Sequence, residues 1–465
     1  MTGLRATAAV LALAAVLGPV RAGQDGAPAV PLTLREAVGT VLAGHPAALA
    51  AAARAEAAAQ NVRIAFAAGY LPRLSVGVYT GLVPEARGDI FSSPDLQTDL
   101  DGWGLFGRFN LDVTQPLATF GRAGAALAVA REGSAAASAG RDAFLQDLAF
   151  ETVRAFEGVL AATAAESLAR ESRDRYRELL GEIEKRLARE DTAVDDEDLL
   201  EARSRELEIE TLVQTSLEKA ETAGRTLAAL LGREAGPLPA LAGAAPPSFA
   251  AGDDLTDRMA VAAAAARPDV RALDAAVRAA GAKVLVEKRR ALPTLYLAGN
   301  FGFARAPNRQ DQTNPFAVDN FNYRVLGGAL GLRWDPDLFG GRAQVRQAEA
   351  ERRAAEARLA AAREAAGLDA ARFVAEARRN DALLAAARRS FEAAKSWLRL
   401  SQENWDTGLG DAYRLLRAYR SYFELRGAVV EREFALNMSL AGLARALGDT
   451  GLFVTWVERG KVDFD

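Results

Sequence analysis

The chain carries one series of sequence landmarks twice, and this duplication limits the folds that are open to it. The clearest landmarks are prolines at equivalent positions in the two copies: Pro46, Pro72 and Pro116 in the first, and Pro268, Pro293 and Pro336 in the second. Successive prolines are 26 and 44 residues apart in the first copy and 25 and 43 residues apart in the second. We therefore expect a single body made of two repeats, at residues 23–240 and 241–465.

The N-terminus has the pattern of a secretory signal peptide over residues 1–22. Arg5 precedes the apolar run 8–17, and the small residue Ala22 ends a plausible cleavage site. The run is too short to cross a bilayer as a helix, which takes about 20 apolar residues. The pattern predicts an exported mature chain.

Composition and motif content argue against several classes of function. The chain has no cysteine, and its net charge of −4 gives no reason to expect nucleic acid as a partner. His45 is the only histidine; it precedes Pro46 where Arg267 precedes Pro268 in the second copy, which predicts a structural role. The sequence has no Ser-His-Asp set, phosphate-binding loop or metal-ligand spacing. We therefore predict no enzymatic activity, no metal and no cofactor.

Two long proline-free stretches, residues 117–236 and 337–465, are rich in Ala, Leu, Glu and Arg, which favour helix. They predict antiparallel helical hairpins over about 121–232 and 342–448. The first leg, from Arg122 to about residue 189, is a rod of about 100 Å at 1.5 Å per residue. Acidic residues beside arginines along these helices, such as Glu182, Glu184 and Arg186, are typical of a solvated helix face.

Shorter helices are predicted over residues 34–68 and 255–289, each with a kink at its proline and each about 50 Å long. Two half-length helices placed end to end are as long as one full-length helix. Each copy therefore supplies one long helix beside two short ones, which predicts a helical bundle of uniform height.

Four segments break the helical pattern and alternate with period two, which is typical of β-strands. They lie at about 74–83, 105–115, 295–304 and 324–335. Each has about ten residues with one apolar face, and a soluble sheet over a core gives the same alternation as tilted membrane-spanning strands. The predicted export, the aromatic residues near the strand ends and the long polar loops 83–102 and 305–322 favour membrane-spanning strands.

Four strands are too few to close a membrane barrel, for which the smallest number is about eight. An open sheet edge in lipid leaves backbone groups without hydrogen bonds. A membrane location therefore requires several chains, and the long helices that continue from the strands favour three chains over two.

The polar face of the predicted strands carries charges that would face the interior of such a barrel. These residues are Arg108, Asp112, Arg333 and Asp335. They would either tune the ion selectivity of the interior or pair with one another across the barrel wall, and we favour pairing.

At the strand entries and exits the chain resembles the TolC-like outer membrane efflux proteins, and the resemblance covers nearly all of the predicted mature sequence. That family begins each strand pair with an L-P-x-L motif, here residues 71–74 and 292–295. It leaves the strand pair through F-G-(G)-R into a long helix, here residues 120–122 and 339–342. No single motif is specific, but the ordered and duplicated set is.

The resemblance implies an α+β, mainly α fold in a homotrimer, with a 12-stranded transmembrane β-barrel continued by a periplasmic α-helical barrel. It further implies an outer-membrane channel that docks through a periplasmic adaptor (membrane fusion) protein on an inner-membrane RND or ABC transporter. The channel would conduct small molecules or proteins passively, in a tripartite efflux pump or a type I secretion system.

The turns of the two hairpins are the expected gate and adaptor contact. The second turn keeps its glycine at Gly408 and reads Asp411, Arg414 and Arg417, whereas the family has an acidic pair at the register of the two arginines. The first turn lacks that glycine and carries acids, at Asp195, Asp198 and Glu201. Either Asp198 or Glu201 pairs with Arg414 or Arg417 between neighbouring hairpins, or all of them are solvated charges.

A second function stays open on the residues alone. The chain would then be a periplasmic coiled-coil structural or scaffold protein whose strands form a small soluble sheet. The two functions predict different behaviour: the channel extracts with detergent as a trimer, and the scaffold stays in solution as an elongated monomer.

Overall fold

The computed structural model describes residues 31–88, 97–98, 102–189, 194–233, 238–250, 255–312, 319–337 and 339–463. The predicted signal peptide and the first hairpin turn at 190–193 lie outside the described residues. The rest is mainly helical with a small antiparallel sheet, so the predicted fold class is confirmed at that level.

Among the described residues the first copy forms nine elements and the second copy seven, and both contain two helices, two long strands, a long helix and its antiparallel partner in that order. The first copy contains α1 (Leu34–Gly44), α2 (Pro46–Tyr70), β1 (Arg73–Val83), β2 (Ala86–Arg87), β3 (Gln97–Thr98), β4 (Gly104–Ala118), α3 (Arg122–Leu187), α4 (Asp196–Ser204) and α5 (Glu206–Leu230). The second copy contains α6 (Leu255–Ala266), α7 (Pro268–Arg290), β5 (Thr294–Arg305), β6 (Tyr323–Arg333), α8 (Gly341–Asp406), α9 (Ala412–Ala446) and α10 (Gly451–Arg459).

Each predicted 50 Å helix is divided at its single proline position into two separate helices. Proline at the first position of a helix loses no hydrogen bond, but its ring prevents the preceding helix from continuing. His45 ends α1 and begins α2, where its Nδ1 accepts a hydrogen bond from the Ala47 backbone N–H at 3.2 Å. Arg267 takes the same position before α7 and pairs with Asp269 and Asp369 at 2.7 and 3.1 Å.

The two long helices α3 and α8 have 66 residues each and are therefore about 100 Å long. Each begins directly after a strand exit, and α3 follows Gly121, whose φ of +83° suits glycine. We call the half of each long helix near the strands the upper half, and the half near the hairpin turns the lower half.

The four long strands form one antiparallel sheet in the order β1-β4-β5-β6. The first and second copies thus meet at the centre of the sheet, through the pairing of β4 with β5. Strands β1 and β6 lie at its edges.

Helix order follows the order of the strands above it. In the upper half α2 packs on α3, α3 on α7 and α7 on α8; in the lower half α5 packs on α3, α3 on α9 and α9 on α8. Helix α8 therefore ends this order in both the upper and the lower half, with α2 at the other end in the upper half and α5 in the lower half.

The largest hydrophobic cluster lies at middle height, where α1, α6 and α10 surround the long helices. Its fully buried members include Phe156 of α3, Leu440 of α9 and Trp456 of α10. Helix α10 was not predicted, since it lies beyond residue 448, the predicted end of the second hairpin.

Candidate functional site

One face of the sheet is apolar and exposed to solvent in the isolated chain. The strand register places Val76, Leu111, Phe301 and Leu326 in one row across all four strands. Val76 is 61% exposed and Leu326 is 84% exposed, although a sheet in water buries such residues. The band continues along the strands, and just beyond β6, through other large apolar residues that are also exposed: Leu74, Val78, Leu82, Leu105, Leu297, Leu330, Leu332 and Trp334.

The opposite face is polar and holds three of the four predicted interior charges. Arg108 lies across from Tyr79 and Ala304, Asp112 across from Ser75 and Asn300, and Arg333 across from Thr294. Both arginines stack on tyrosines of this face: Arg108 Cζ lies 5.6 Å from the centre of the Tyr323 ring, and Arg333 Cζ lies 5.5 Å from that of Tyr296.

The fourth predicted interior residue, Asp335, lies outside the strand, because β6 ends at Arg333. Within the described part of the chain, none of these four residues forms a salt bridge. Their pairing across a barrel wall stays a prediction.

The hairpin turns lie together at the far end of the molecule, around a hydrophobic cluster separate from the main one. Trp405 at the end of α8 is fully buried there, beside Ile183 of α3 and Leu415 of α9. Arg186 of α3 stacks on the indole with its Cζ 3.9 Å from the ring centre. The indole N–H donates to Glu182 Oε1 at 2.9 Å.

This contact corrects the sequence analysis, which assigned Glu182 and Arg186 to a solvated helix face. The side chain of Arg186 is only 19% exposed, and its guanidinium also donates to the Trp405 carbonyl oxygen at 3.2 Å. The pair thus joins the first hairpin to the second. The only local sequence signal for this contact is the spacing of four residues between Glu182 and Arg186. That spacing does not identify Trp405 as their partner.

Helix capping accounts for three of the predicted turn residues. Asp195 caps α4 and forms a reciprocal capping box with Asp198. Asp411 caps α9 by accepting a hydrogen bond from the Arg414 backbone N–H at 2.7 Å. Gly408 has φ +74°, a conformation that favours glycine.

The predicted salt bridges between the turns do not form within the described part of one chain. Arg414 pairs with its own capping residue Asp411 at 3.2 Å, and Glu201 pairs with Arg205 at 3.2 Å. Arg417 stacks on Tyr413, with its Cζ 5.5 Å from the ring centre.

The acids of the two turns are nonetheless close to one another. Burial raises the pKa of Asp198, and the charges of Asp195, Asp411 and Glu201 raise it further against a hydrogen bond that lowers it. Asp411 comes from the second hairpin, so the two turns share one region of negative charge.

The described residues contain no group of three or more His, Cys, Asp or Glu side chains that could hold a metal ion. Among the same residues, no helix is both long and apolar enough to cross a membrane.

The chain combines a sheet that has one exposed apolar face with two helices of about 100 Å. Residues 260–449, within the second copy, match the family model described as outer membrane efflux protein. The predicted resemblance to TolC-like outer membrane efflux proteins is thereby confirmed, and with it the location in the outer membrane that characterises this family.

Solved structures share the fold over most of the chain. The outer-membrane channel OprN is 22% identical, with a TM-score of 0.69 and 89% of each chain covered. CusC is 17% identical, with a TM-score of 0.73 over 92% of this chain and 96% of its own. The MtrE outer membrane channel of Neisseria gonorrhoeae, in its open state, is 20% identical, with a TM-score of 0.71 over 90% and 89%. No curated protein sequence shows a significant match.

Proposed function

We propose that the chain is the outer-membrane exit channel of a tripartite efflux pump or a type I secretion system, and that it acts as a homotrimer. The observation that carries this proposal is the apolar row Val76, Leu111, Phe301 and Leu326, all but Leu111 exposed, on a sheet with two open edges. The outer membrane efflux family supports it.

The open edges explain why one chain is not enough. Strands β1 and β6 have 11 residues each, and each has one neighbour in the described sheet. In lipid, their outer backbone groups need hydrogen-bond partners. Pairing β6 of one copy with β1 of the next supplies those partners, and three copies form a closed 12-stranded barrel.

The distance between sheet and turns supports the proposed partners. Helices of about 100 Å carry the turns far from the membrane-inserted strands, into the periplasm. There a periplasmic adaptor protein links them to an inner-membrane RND or ABC transporter. The channel itself is passive, and the transporter supplies the energy.

The charged residues take roles that follow from their positions. Arg108, Asp112 and Arg333 face the barrel interior and pair with opposite charges across the barrel wall. At the other end, Asp198 and Glu201 of one hairpin pair with Arg414 or Arg417 of a neighbouring hairpin and close the channel mouth.

The assembly and the conduction are tested on one detergent-extracted preparation of the mature chain. Native mass spectrometry is expected to show a trimer, and planar bilayers are expected to show discrete conductance steps. The charge substitutions Arg414→Ala and Arg417→Ala are expected to raise the open fraction of the channel. A protein that stays in solution without detergent as a monomer contradicts the channel and supports the scaffold.

A further inference from the structure

The lower half of the chain ends in two edge helices that have no neighbour on their outer sides within the described chain. Helix α6 packs on α8 at middle height; below it the order is α5, α3, α9, α8, so α5 packs mainly on α3 and α8 mainly on α9. Helices α5 and α8 run in opposite directions, because α5 leaves the turns and α8 approaches them.

The outer face of α5 carries two residues that need a partner. Val213, Ser216 and Leu227 are buried towards α3, and successive residues of a helix turn by about 100°. That rotation places Leu207 and Glu218 on the opposite side of α5. Leu207 is 77% exposed, and Glu218 is also exposed.

The outer face of α8 carries a matching pair. Leu384 and Ala394 are buried towards α9, and the same rotation places Leu400 and Arg389 on the opposite side. Leu400 is 56% exposed, and Arg389 is also exposed. Small residues at Ala382, Ala386 and Ala393 surround Arg389 on this face, and they allow another helix to approach closely.

Contacts across the chain show that the upper members of the two pairs lie at one level. Glu218 of α5 and Phe434 of α9 line the same groove. The neighbour of Phe434, Glu433, pairs with Arg388 of α8 at 2.7 Å. The groove extends along α5 from Glu218 to Thr226, so Glu218 and Arg389 lie within about two helical turns of the same height.

The lower members also share a level. Glu208 of α5 and Tyr419 of α9 line the same cavity, and Tyr419 donates a hydrogen bond to Gln402 of α8 at 3.1 Å. Leu207 and Leu400 are thus matched as well. Both pairs are separated by 11 residues along their helices, which is about three turns.

We propose that α5 of one copy packs antiparallel against α8 of the next copy, with Leu207 on Leu400 and Glu218 paired with Arg389. This inference rests on the proposed homotrimer and assigns the contact that closes its lower helical tube. A contact between two different faces repeats around a ring, as a closed trimer requires.

Charge selects this pairing over contacts between like helices. Helix α5 has five acidic and two basic residues, whereas residues 371–400 of α8 have seven basic and three acidic residues. Two copies of α8, or two of α5, would repel each other. In the described chain, Glu218 and Arg389 form no salt bridge of their own, so both charges are available to the neighbour.

Cysteine cross-linking tests the register, because the chain has no native cysteine. The matched variants are Leu207→Cys with Leu400→Cys, and Glu218→Cys with Arg389→Cys. The crossed variants use the same four positions, as Leu207→Cys with Arg389→Cys, and Glu218→Cys with Leu400→Cys. A crossed pair is displaced by about 16 Å along the helices, and Cα atoms more than about 7 Å apart cannot form a disulfide.

Oxidation of the detergent-solubilised trimer is expected to convert at least half of each matched variant into covalent dimers and trimers on non-reducing gels. The crossed variants are expected to give less than one tenth of that yield. Equal yields from matched and crossed variants, or monomers from the matched variants of a trimeric preparation, overturn this inference and leave the proposed channel standing. A preparation that is not trimeric by native mass spectrometry contradicts both.

A second measurement checks the charge pair without a cross-link. The single variants Glu218→Arg and Arg389→Glu are expected to lower the temperature at which the trimer dissociates in detergent, and the double variant is expected to restore it. Unchanged dissociation in both single variants contradicts the Glu218–Arg389 pair.

Discussion

At the scale of single residues, a buried carboxyl joins the two repeats at middle height. Glu157 of α3 is 8% exposed and accepts a hydrogen bond from the Asn437 amide of α9 at 2.9 Å. Burial raises the pKa of Glu157 above its usual value, against the lowering effect of that hydrogen bond. No charged side chain is among the causes of the shift.

We expect this carboxyl to make stability depend on pH. Because the pKa of Glu157 is higher in the folded than in the unfolded chain, its contribution to stability is complete below the unfolded value near 4.5 and is lost as pH rises through the folded value. Glu157→Gln removes this titration while keeping a hydrogen-bonding side chain. Thermal unfolding of the variant is expected to change less than that of the wild type between pH 5 and pH 8.

The control is Glu151→Gln, on the same helix but at an exposed position. It is expected to keep the pH dependence of the wild type. A Glu157→Gln variant with the wild-type pH profile would show that this carboxyl does not control it.

The tryptophan at the turns gives a second prediction for single residues. Trp405→Ala removes a fully buried indole, which costs about 3–5 kcal/mol in such positions. The loss is local, so hydrogen exchange is expected to rise in 176–187 and 398–419 and to stay unchanged in the sheet. Trp397→Ala, on the same helix at a 38% exposed position, is the matched control and is expected to leave exchange near the turns almost unchanged.

At the scale of elements, the turn glycine is predicted to matter through its backbone conformation. Gly408 has φ +74°, and a residue with a Cβ costs about 1–2 kcal/mol in this region. Gly408→Ala is therefore expected to destabilise the second turn. Gly133→Ala in the first third of α3, where an added Cβ meets no atom within 4 Å, is expected to stabilise by about 0.5–1 kcal/mol. Chemical unfolding of both variants measures the change in the free energy of unfolding, which is expected to have opposite signs in the two.

Elements determined by local patterns were accessible from the sequence. Alternation of apolar residues identified the strand segments, and the absence of proline identified the long helices. Contacts between distant parts of the chain could not be predicted from the sequence. Periodicity shows which side of a helix is buried, but it does not show which other element packs on that side. Arg186 and Trp405 are separated by 219 residues, and the short helix α10 follows the last repeated landmark.

The sequence also left the turn charges undecided for a physical reason. Asp195 and Asp411 have a local task, because each satisfies backbone N–H groups at the start of a helix. The same carboxylates lie together only after the two hairpins pack. The caps depend on neighbouring residues alone, whereas the shared negative region depends on the packing of the two hairpins.

At the scale of the whole molecule, the chain is asymmetric from side to side in the same sense in the sheet, the upper half and the lower half. Strand β1, α2 and α5 lie along one side, and β6 and α8 lie along the other. Closure of the sheet and closure of the helices therefore require the same neighbour. One rotation between copies satisfies both, so the two proposed contacts support each other.

The exposed apolar face gives the last prediction, which separates a membrane-inserted sheet from a soluble one. Val76 and Ser75 are adjacent in β1 and point to opposite faces of the sheet. In lipid, an arginine on the outer face costs up to about 2–4 kcal/mol near the bilayer midplane. Val76→Arg is therefore expected to reduce the trimer recovered from outer membranes and to slow insertion into lipid vesicles.

Ser75→Arg places the same side chain on the polar face, across from Asp112. Its neighbour there is a carboxylate, so the arginine gains an opposite charge and stays out of lipid. This variant is expected to assemble like the wild type, and an equal loss of trimer in both variants would contradict insertion of the Val76 face. Because the two positions differ only in the face they occupy, the comparison reports which face of the sheet meets the membrane.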